Sequence, residues 1–350
     1  MMAGVKDAAN VRILGVGSAL PTRIVGNEEI ERLTGIAAAH VAELFDVRER
    51  RWARRHDCAA PADGQMCSDL AAQAGRRAVD DAGLAIQDID LLVAVTTTPD
   101  FVNPTFDHAV AAKLGLRGVP AFSVHAPCTG LFRGSLLAES LLRSGRATTA
   151  LVVAADTISP FFRFGEEVPR DHKMSTALYA DGAGAWVMRR TEAPAGAEML
   201  AIRLVTNSSE DTPGILFRGL MSATPPSPES AAGLEYLGHH DFRRVLRRGG
   251  ELAAHAARVM MEEMGVTQSD VRFFLTHQAT GNLHRIAAAH GLPAERVPIN
   301  IATVGNTISA SILILLDELK RAGRLSPGDL LILHTAESSS WSYAAMAVRW

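Results

Sequence analysis

Cysteine is nearly absent from the chain: Cys58, Cys67 and Cys128 are the only three in 350 residues. So sparse and odd a set leaves no disulfide framework and fits a reducing compartment. No apolar run approaches the roughly 20 residues of a membrane span. The N-terminal MMAGVKDAANVRILGVG lacks the apolar stretch and cleavage site of a signal peptide. The protein is therefore expected in the cytoplasm and off the membrane. A surplus of one charge is missing too: 35 Lys and Arg stand against 38 Asp and Glu. That balance argues against a nucleic-acid partner. The one basic run, RERRWARR at 48–55, reads as a solvated surface segment, or second as a patch that draws ligand phosphates. Spacings such as CxxC or HExxH are lacking, so no metal site is expected. His239 and His240 lie in a polar stretch and read as surface. DGAGA at 181–185 lacks the Lys-Ser/Thr of a phosphate loop and reads as close backbone packing before a strand.

What is present is a repeat. The length is too great for one ordinary core, which points to two domains or two fused halves. DDAGLAIQDIDLLVAV, from Asp80, resembles EEMGVTQSDVRFFLTH, from Glu262, at an offset of 182 residues. LLAESLLRSGR, from Leu136, resembles LLDELKRAGR, from Leu315, with the final glycines 178 apart. Each helix ends in basic residues and Gly and leads into a strand. Apolar runs such as LLVAV and LLILH suit strands buried on both faces. The expectation is two similar α/β halves, residues 1–190 and 191–350. The connection from about Asp156 to Tyr179 is long enough to serve as a lid or interface. The Pro- and Ser-rich DTPGILFRGLMSATPPSPESAAG reads as irregular.

Within SVHAPCTGLFRGSLLAESLLRSGR, Cys128 falls where a strand stops and a helix begins. The free N–H groups and dipole of a helix start favour a thiolate, the nucleophilic form. Among the three cysteines, this position singles out Cys128. The 178-residue offset sets Asn306, in VGNTISAS, opposite it. His277 ends a strand in FFLTHQATGN, on a rigid element such as a catalytic group needs. Sites in open α/β sheets lie beyond strand ends. A Cys–His–Asn set suits acyl transfer through a thioester, or peptide hydrolysis. The papain-type signature around the cysteine is absent, and the duplicated α/β pattern is wrong for it.

At these residues the chain resembles the thiolase superfamily, and most of all its β-ketoacyl-acyl-carrier-protein synthase III branch. The likeness runs from ILGVGSALPTRIVGNEEI through VRERR, AFSVHAPCTG and YADGAGAWV to THQAT, VGNT and GRLSPGDLLIL. It implies a five-layered αβαβα fold of two pseudo-symmetric halves, a homodimer, and an acyl-cysteine intermediate on Cys128. His277 and Asn306 would donate hydrogen bonds to the thioester carbonyl of a malonyl-type donor, whose enolate oxygen carries charge after CO₂ leaves. The backbone N–H groups of Cys128 and Ser339 would form an oxyanion hole. No cofactor is implied beyond the substrate, an acyl-CoA or acyl-carrier-protein thioester.

Departures from the family pattern bear on the substrate. Ser338, Ser339 and Ser340 replace glycines, and Glu337 replaces a common aromatic beside the pocket. At the expected entrance, His40 stands for an adenine-stacking Trp, and Leu44, Asn282 and Lys173 stand for arginines. These changes put coenzyme A recognition in doubt and leave a carrier protein as an equal choice. Asn103 stands for a Phe that reaches in from the partner subunit to close the acyl pocket. Phe161, with Phe162 and Phe164, marks an apolar connection at the pocket and dimer. Three functions follow: a condensing enzyme of secondary metabolism, an acyltransferase making an ester or amide, or a non-catalytic partner subunit. Retention of Cys128, His277 and Asn306 weighs against the third. Asn306, most useful for an enolate, favours the first.

Overall fold

The structure, a computed structural model, describes residues 10–53, 65–193, 196–206, 212–217 and 237–350. Its strands in chain order are β1 (Asn10–Ala19), β2 (Ile24–Gly26), β3 (Glu49–Arg51), β4 (Leu91–Thr96), β5 (Ala121–His125), β6 (Thr149–Asp156), β7 (Gly182–Thr191), β8 (Ala197–Val205), β9 (Ile215–Phe217), β10 (Leu237–His240), β11 (Val271–Thr276), β12 (Leu330–Glu337) and β13 (Ser342–Arg349). Nine of them form one sheet in the order β11-β12-β13-β8-β1-β7-β6-β4-β5.

The order carries the repeat. β1 runs antiparallel to β7, β7 antiparallel to β6, and β6 parallel to β4. β8, β13, β12 and β11 repeat that sequence of directions. The two sets join where Arg12 and Ile13 pair with Glu198 and Ala197. Every residue of β4 and β6 is buried, because helices cover both faces.

Two central helices, Gly130–Arg143 and Ser311–Arg321, share one core with both halves of the sheet. Leu131, Phe132, Leu313 and Leu316 pack with Val93 and Val152 of one half and Leu275 and Leu333 of the other. The helix Gly130–Arg143 lies close on β4: a Cβ at Gly134 would come within 2.7 Å of Val95. Outside, the helices Cys67–Asp81 and Phe106–Leu114 cover Leu92 and Val153. Across the molecule, helices Phe242–Met264 and Leu283–Ala289 cover Phe274, Ile332 and Ala347. The layers are thus helix, sheet, helix, sheet, helix. Among the described residues, no helix is long and apolar enough to cross a membrane.

Several local expectations need correction. The long connection contains a helix, Arg170–Leu178. The segment expected to be irregular contributes β9, paired with β10; most of its Pro- and Ser-rich remainder lies outside the described residues. His240 is not a surface residue. It is buried and stacks on Phe242 at 3.5 Å, with Nδ1 2.9 Å from Ser175 Oγ. The basic run is not wholly solvated either, because Arg50 is fully buried. Its guanidinium donates to the carbonyls of Val25 and Ala177 and to Asn27 Oδ1. Burial lowers its pKa to about 10. Arg54 and Arg55 lie outside the described residues.

Candidate active site

Each chemical residue sits at a chain elbow next to an element of the core. Cys128 follows β5, and the helix begins two residues later with Thr129 as its N-cap. His277 follows β11. Asn306 precedes the helix Ser311–Arg321, after Gly305 at φ 82° and ψ −178°. Only glycine tolerates that backbone. A Cβ there would also meet Ala180 Cβ at 2.6 Å and Arg50 Cβ at 2.8 Å. The buried Arg50 thus supports the elbow that presents Asn306. Backbone hydrogen bonds from Asn306 N–H to Leu178 and from Ala180 N–H to Asn306 fix it further.

The three side chains line one cavity, whose atom-free space, mouth included, is about 960 Å³. His277 and Asn306 are buried, and Cys128 is half-buried against the opening. Asn306 Oδ1 accepts the Ile308 N–H at 3.0 Å. That leaves its Nδ2 protons for a ligand, the amide orientation being assigned from this bond. Ile308 is held at φ 51°, an outlier for a β-branched residue, so the Asn306 side chain pins a strained turn. His277 Nδ1 lies 2.8 Å from Ser311 Oγ, which also accepts the Gln278 N–H at 3.4 Å. When the serine hydroxyl donates to Nδ1, Nε2 carries the ring proton. Burial pushes the imidazole down to about 4, against a weaker upward pull from the Ile308 carbonyl. The ring is therefore neutral at physiological pH.

Cys128 is not held as a thiolate. Burial first, then the carboxylates of Glu337 and Asp156, push its thiol well above the ordinary range. The positive end of the helix is already occupied. Glu337 is buried and accepts the Thr129 N–H at 3.3 Å and the Thr129 hydroxyl. Its other oxygen accepts from Ser340 at 2.6 Å and Ser339 at 3.2 Å. The serines that replace glycines therefore serve a carboxylate at the N-terminus of the helix. A helix start also fails to single out Cys128, since Cys67 begins the helix Cys67–Asp81. Cys67 is buried beside Thr96 and does not line the cavity. Access to the cavity separates the two. Cys58 lies outside the described residues.

The remaining candidates are dispersed. Ser338, rather than Ser339, lines the cavity. His40 faces Arg170 at 3.4 Å, and Asn282 donates to the Leu44 carbonyl at 3.0 Å. Lys173 reaches the Glu166 carbonyl at 3.5 Å. Phe161 packs in the cluster around Trp52, and Asn103 is exposed. None of these six lines the cavity. Ser311, Thr129 and Gly305 were missed in sequence, as their roles depend on partners distant in the chain.

The family models for 3-Oxoacyl-[acyl-carrier-protein (ACP)] synthase III and for its C-terminal part match residues 122–208 and 261–350. The β-ketoacyl-[acyl-carrier-protein] synthase III of Rhizorhabdus wittichii is 32% identical over 339 residues, 97% of this chain and 98% of the relative. The chain belongs to the β-ketoacyl-[acyl-carrier-protein] synthase III family. It is an enzyme, a condensing acyltransferase with the thiolase-like fold. The crystal structure of a synthase III from Pseudomonas aeruginosa matches this synthase with a TM-score of 0.83 at 29% identity, covering 97% of this chain and 98% of that one. A tetronic acid condensing enzyme matches with a TM-score of 0.84 at 27% identity, covering 97% and 100%.

Proposed function

We propose that this synthase joins two acyl units by decarboxylative Claisen condensation through an acyl-Cys128 intermediate, in polyketide or related secondary metabolism. The observation that carries this reading is the bond from Ile308 N–H to Asn306 Oδ1, which turns the amide donors toward the cavity. With His277 Nε2–H, that makes two fixed donors for one oxygen, as an enolate requires. In the first step Cys128 sulfur attacks the acyl thioester as its proton passes to neutral His277, and the ring hands that proton to the departing sulfur, so the carrier leaves as its thiol. The Ser311 hydroxyl can turn to accept from Nδ1, so the same ring can offer the Nε2 lone pair to the cysteine proton. The oxyanion of this step is met by the backbone N–H of Cys128. In the second step a malonyl-type thioester loses CO₂, its enolate oxygen accepts from His277 and Asn306, and its carbon displaces the Cys128 sulfur.

The relatives' names speak for acyl carrier protein as the donor's carrier, with coenzyme A as the other choice. His40, Leu44, Lys173 and Asn282 remain its proposed entrance. The departures at Glu337 to Ser340 and the likeness to a tetronic acid condensing enzyme support a biosynthetic role outside ordinary fatty-acid initiation. Incubation with labelled malonyl thioester should release CO₂ and yield a β-keto product. No CO₂ across a broad donor set, with an ester or amide formed instead, would favour the alternative. In that case neutral His277 acts as general base on a hydroxyl or amine.

A homodimer belongs to the same proposal. β5 is the last strand of the sheet, with Phe122 exposed, and Phe101 and Val102 stand exposed on the nearby loop. An uncovered apolar edge is a liability that a second copy removes. Asn103, next to Val102, would then reach the partner's acyl pocket beside Glu337 and Phe161. Sedimentation should give a dimer at micromolar concentration; a monomer there would refute it.

A further inference from the structure

The face of β12 that meets the outer helices is apolar at Leu330 and Ile332. His334 interrupts this row with an imidazole only 3% exposed. Its Nδ1 lies 2.9 Å from the Ala253 carbonyl. A carbonyl can only accept, so Nδ1 carries the proton and Nε2 the lone pair. Nε2 is buried and has no partner among the described residues. Native folds rarely keep such an acceptor unpaired.

The cavity that opens at Cys128 extends to this residue. Gly249, Gly250 and Ala253 face it from the helix Phe242–Met264, and Leu283 and Ile286 from the facing helix. Glycine is unfavourable in a helix interior, yet two stand together here. At Gly250 a Cβ would come within 2.9 Å of Ile286 Cγ2. Val245 and Leu246, on the same face, are only half-buried although apolar. The first turns of this helix thus cover open space, while Ala257 and Met260 further along are buried.

We infer that this chamber holds the hydroxylated chain of one of the two acyl units, whose O–H donates to His334 Nε2, while the pocket closed by Asn103 takes the other. The inference rests on the proposed reading only in setting the thioester end of the chain at Cys128. Burial pushes the His334 imidazole down to about 4, so the lone pair persists at neutral pH. Apolar walls gather the chain, and one buried acceptor selects it. A site built to pair a hydroxyl discriminates against the analogue without one.

Calorimetry with decanoic acid and a set of its mono-hydroxylated isomers reads the chamber without requiring turnover. It is run on the wild-type chain and on Cys128→Ala. At least one isomer should bind about 5- to 10-fold tighter than decanoic acid, the range of one net hydrogen bond. His334→Phe should erase that preference while binding decanoic acid within about twofold of wild type, a gap small beside the hydrogen bond removed. Gly249→Leu, which fills the chamber from a half-buried position, should weaken both ligands about tenfold or more, as overpacking does. Equal binding of all isomers and the parent in wild type would overturn the inference. So would a preference that survives His334→Phe, or binding that Gly249→Leu leaves unchanged. Failure of the condensation reading appears elsewhere, as absence of CO₂ or of a cysteine adduct.

Discussion

Replacing Cys128 by alanine is expected to abolish the acyl-enzyme adduct seen by intact mass spectrometry after incubation with acyl thioesters. Cys67→Ala should leave the adduct in place. Both cysteines stand at helix starts, both thiols are pushed far up by burial, and only Cys128 opens on the cavity. Reactivity therefore follows access and not local backbone. An adduct that persists in Cys128→Ala would sink the mechanism. The same half-reaction should report the state of the thiol. Because Glu337 and Asp156 add to burial in raising it, the thiolate is scarce at neutral pH and grows as pH rises. Iodoacetamide labelling of Cys128 should climb about tenfold per pH unit with no plateau up to pH 9. A plateau below about pH 8, as for an activated thiol, would contradict the placement of Glu337 against the nucleophile.

How much of this was legible in the sequence depends on range. The repeat was readable because each strand–turn–helix unit is local, and its directions recur in β4–β6–β7 and β11–β12–β13. The elbows were readable for the same reason. Glu337 was visible as a departure, but its partnership with Thr129 spans 208 residues, and nothing local announces it. The same holds for Arg50, whose acceptors come from two separate segments, at Val25 and Asn27 and at Ala177. A short basic run looks solvated until the fold brings carbonyls to one of its members. His240 misled because its polar neighbours hide a stacking partner two residues on, Phe242. The paired glycines in RRGGELAAHAA were a usable signal for the chamber. Two helix-weakening residues on an otherwise amphipathic face mark a place where room matters more than helix stability.

The variants His277→Ala and Asn306→Ala should separate condensation from simple transfer. In a condensing enzyme both donors serve the same enolate oxygen, so each loss removes one of two preorganised hydrogen bonds. Each should cost on the order of 10²-fold or more in CO₂ release, by analogy with oxyanion-hole deletions. Adduct formation should suffer less in Asn306→Ala, since that side chain takes no part in the cysteine's proton transfer. Part of the Asn306 loss will come from Ile308, whose strained N–H forfeits its acceptor. Asn306→Asp keeps that acceptor and removes both amide donors, so it isolates the donor role. It should be as slow as Asn306→Ala in decarboxylation if donation to the enolate is what matters. The pH profile adds a further constraint. With its pKa lowered to about 4 by burial, His277 keeps its neutral donor form well below the ordinary histidine range. Falling pH should therefore leave CO₂ release flat through pH 6 and cut it only toward pH 4, where the protonated ring can no longer take the Cys128 proton. In an acyltransferase the two positions part company: His277→Ala stops transfer to the acceptor, and Asn306→Asp stays near wild type. That split, with no CO₂ from the wild type, would assign this site to ester or amide formation.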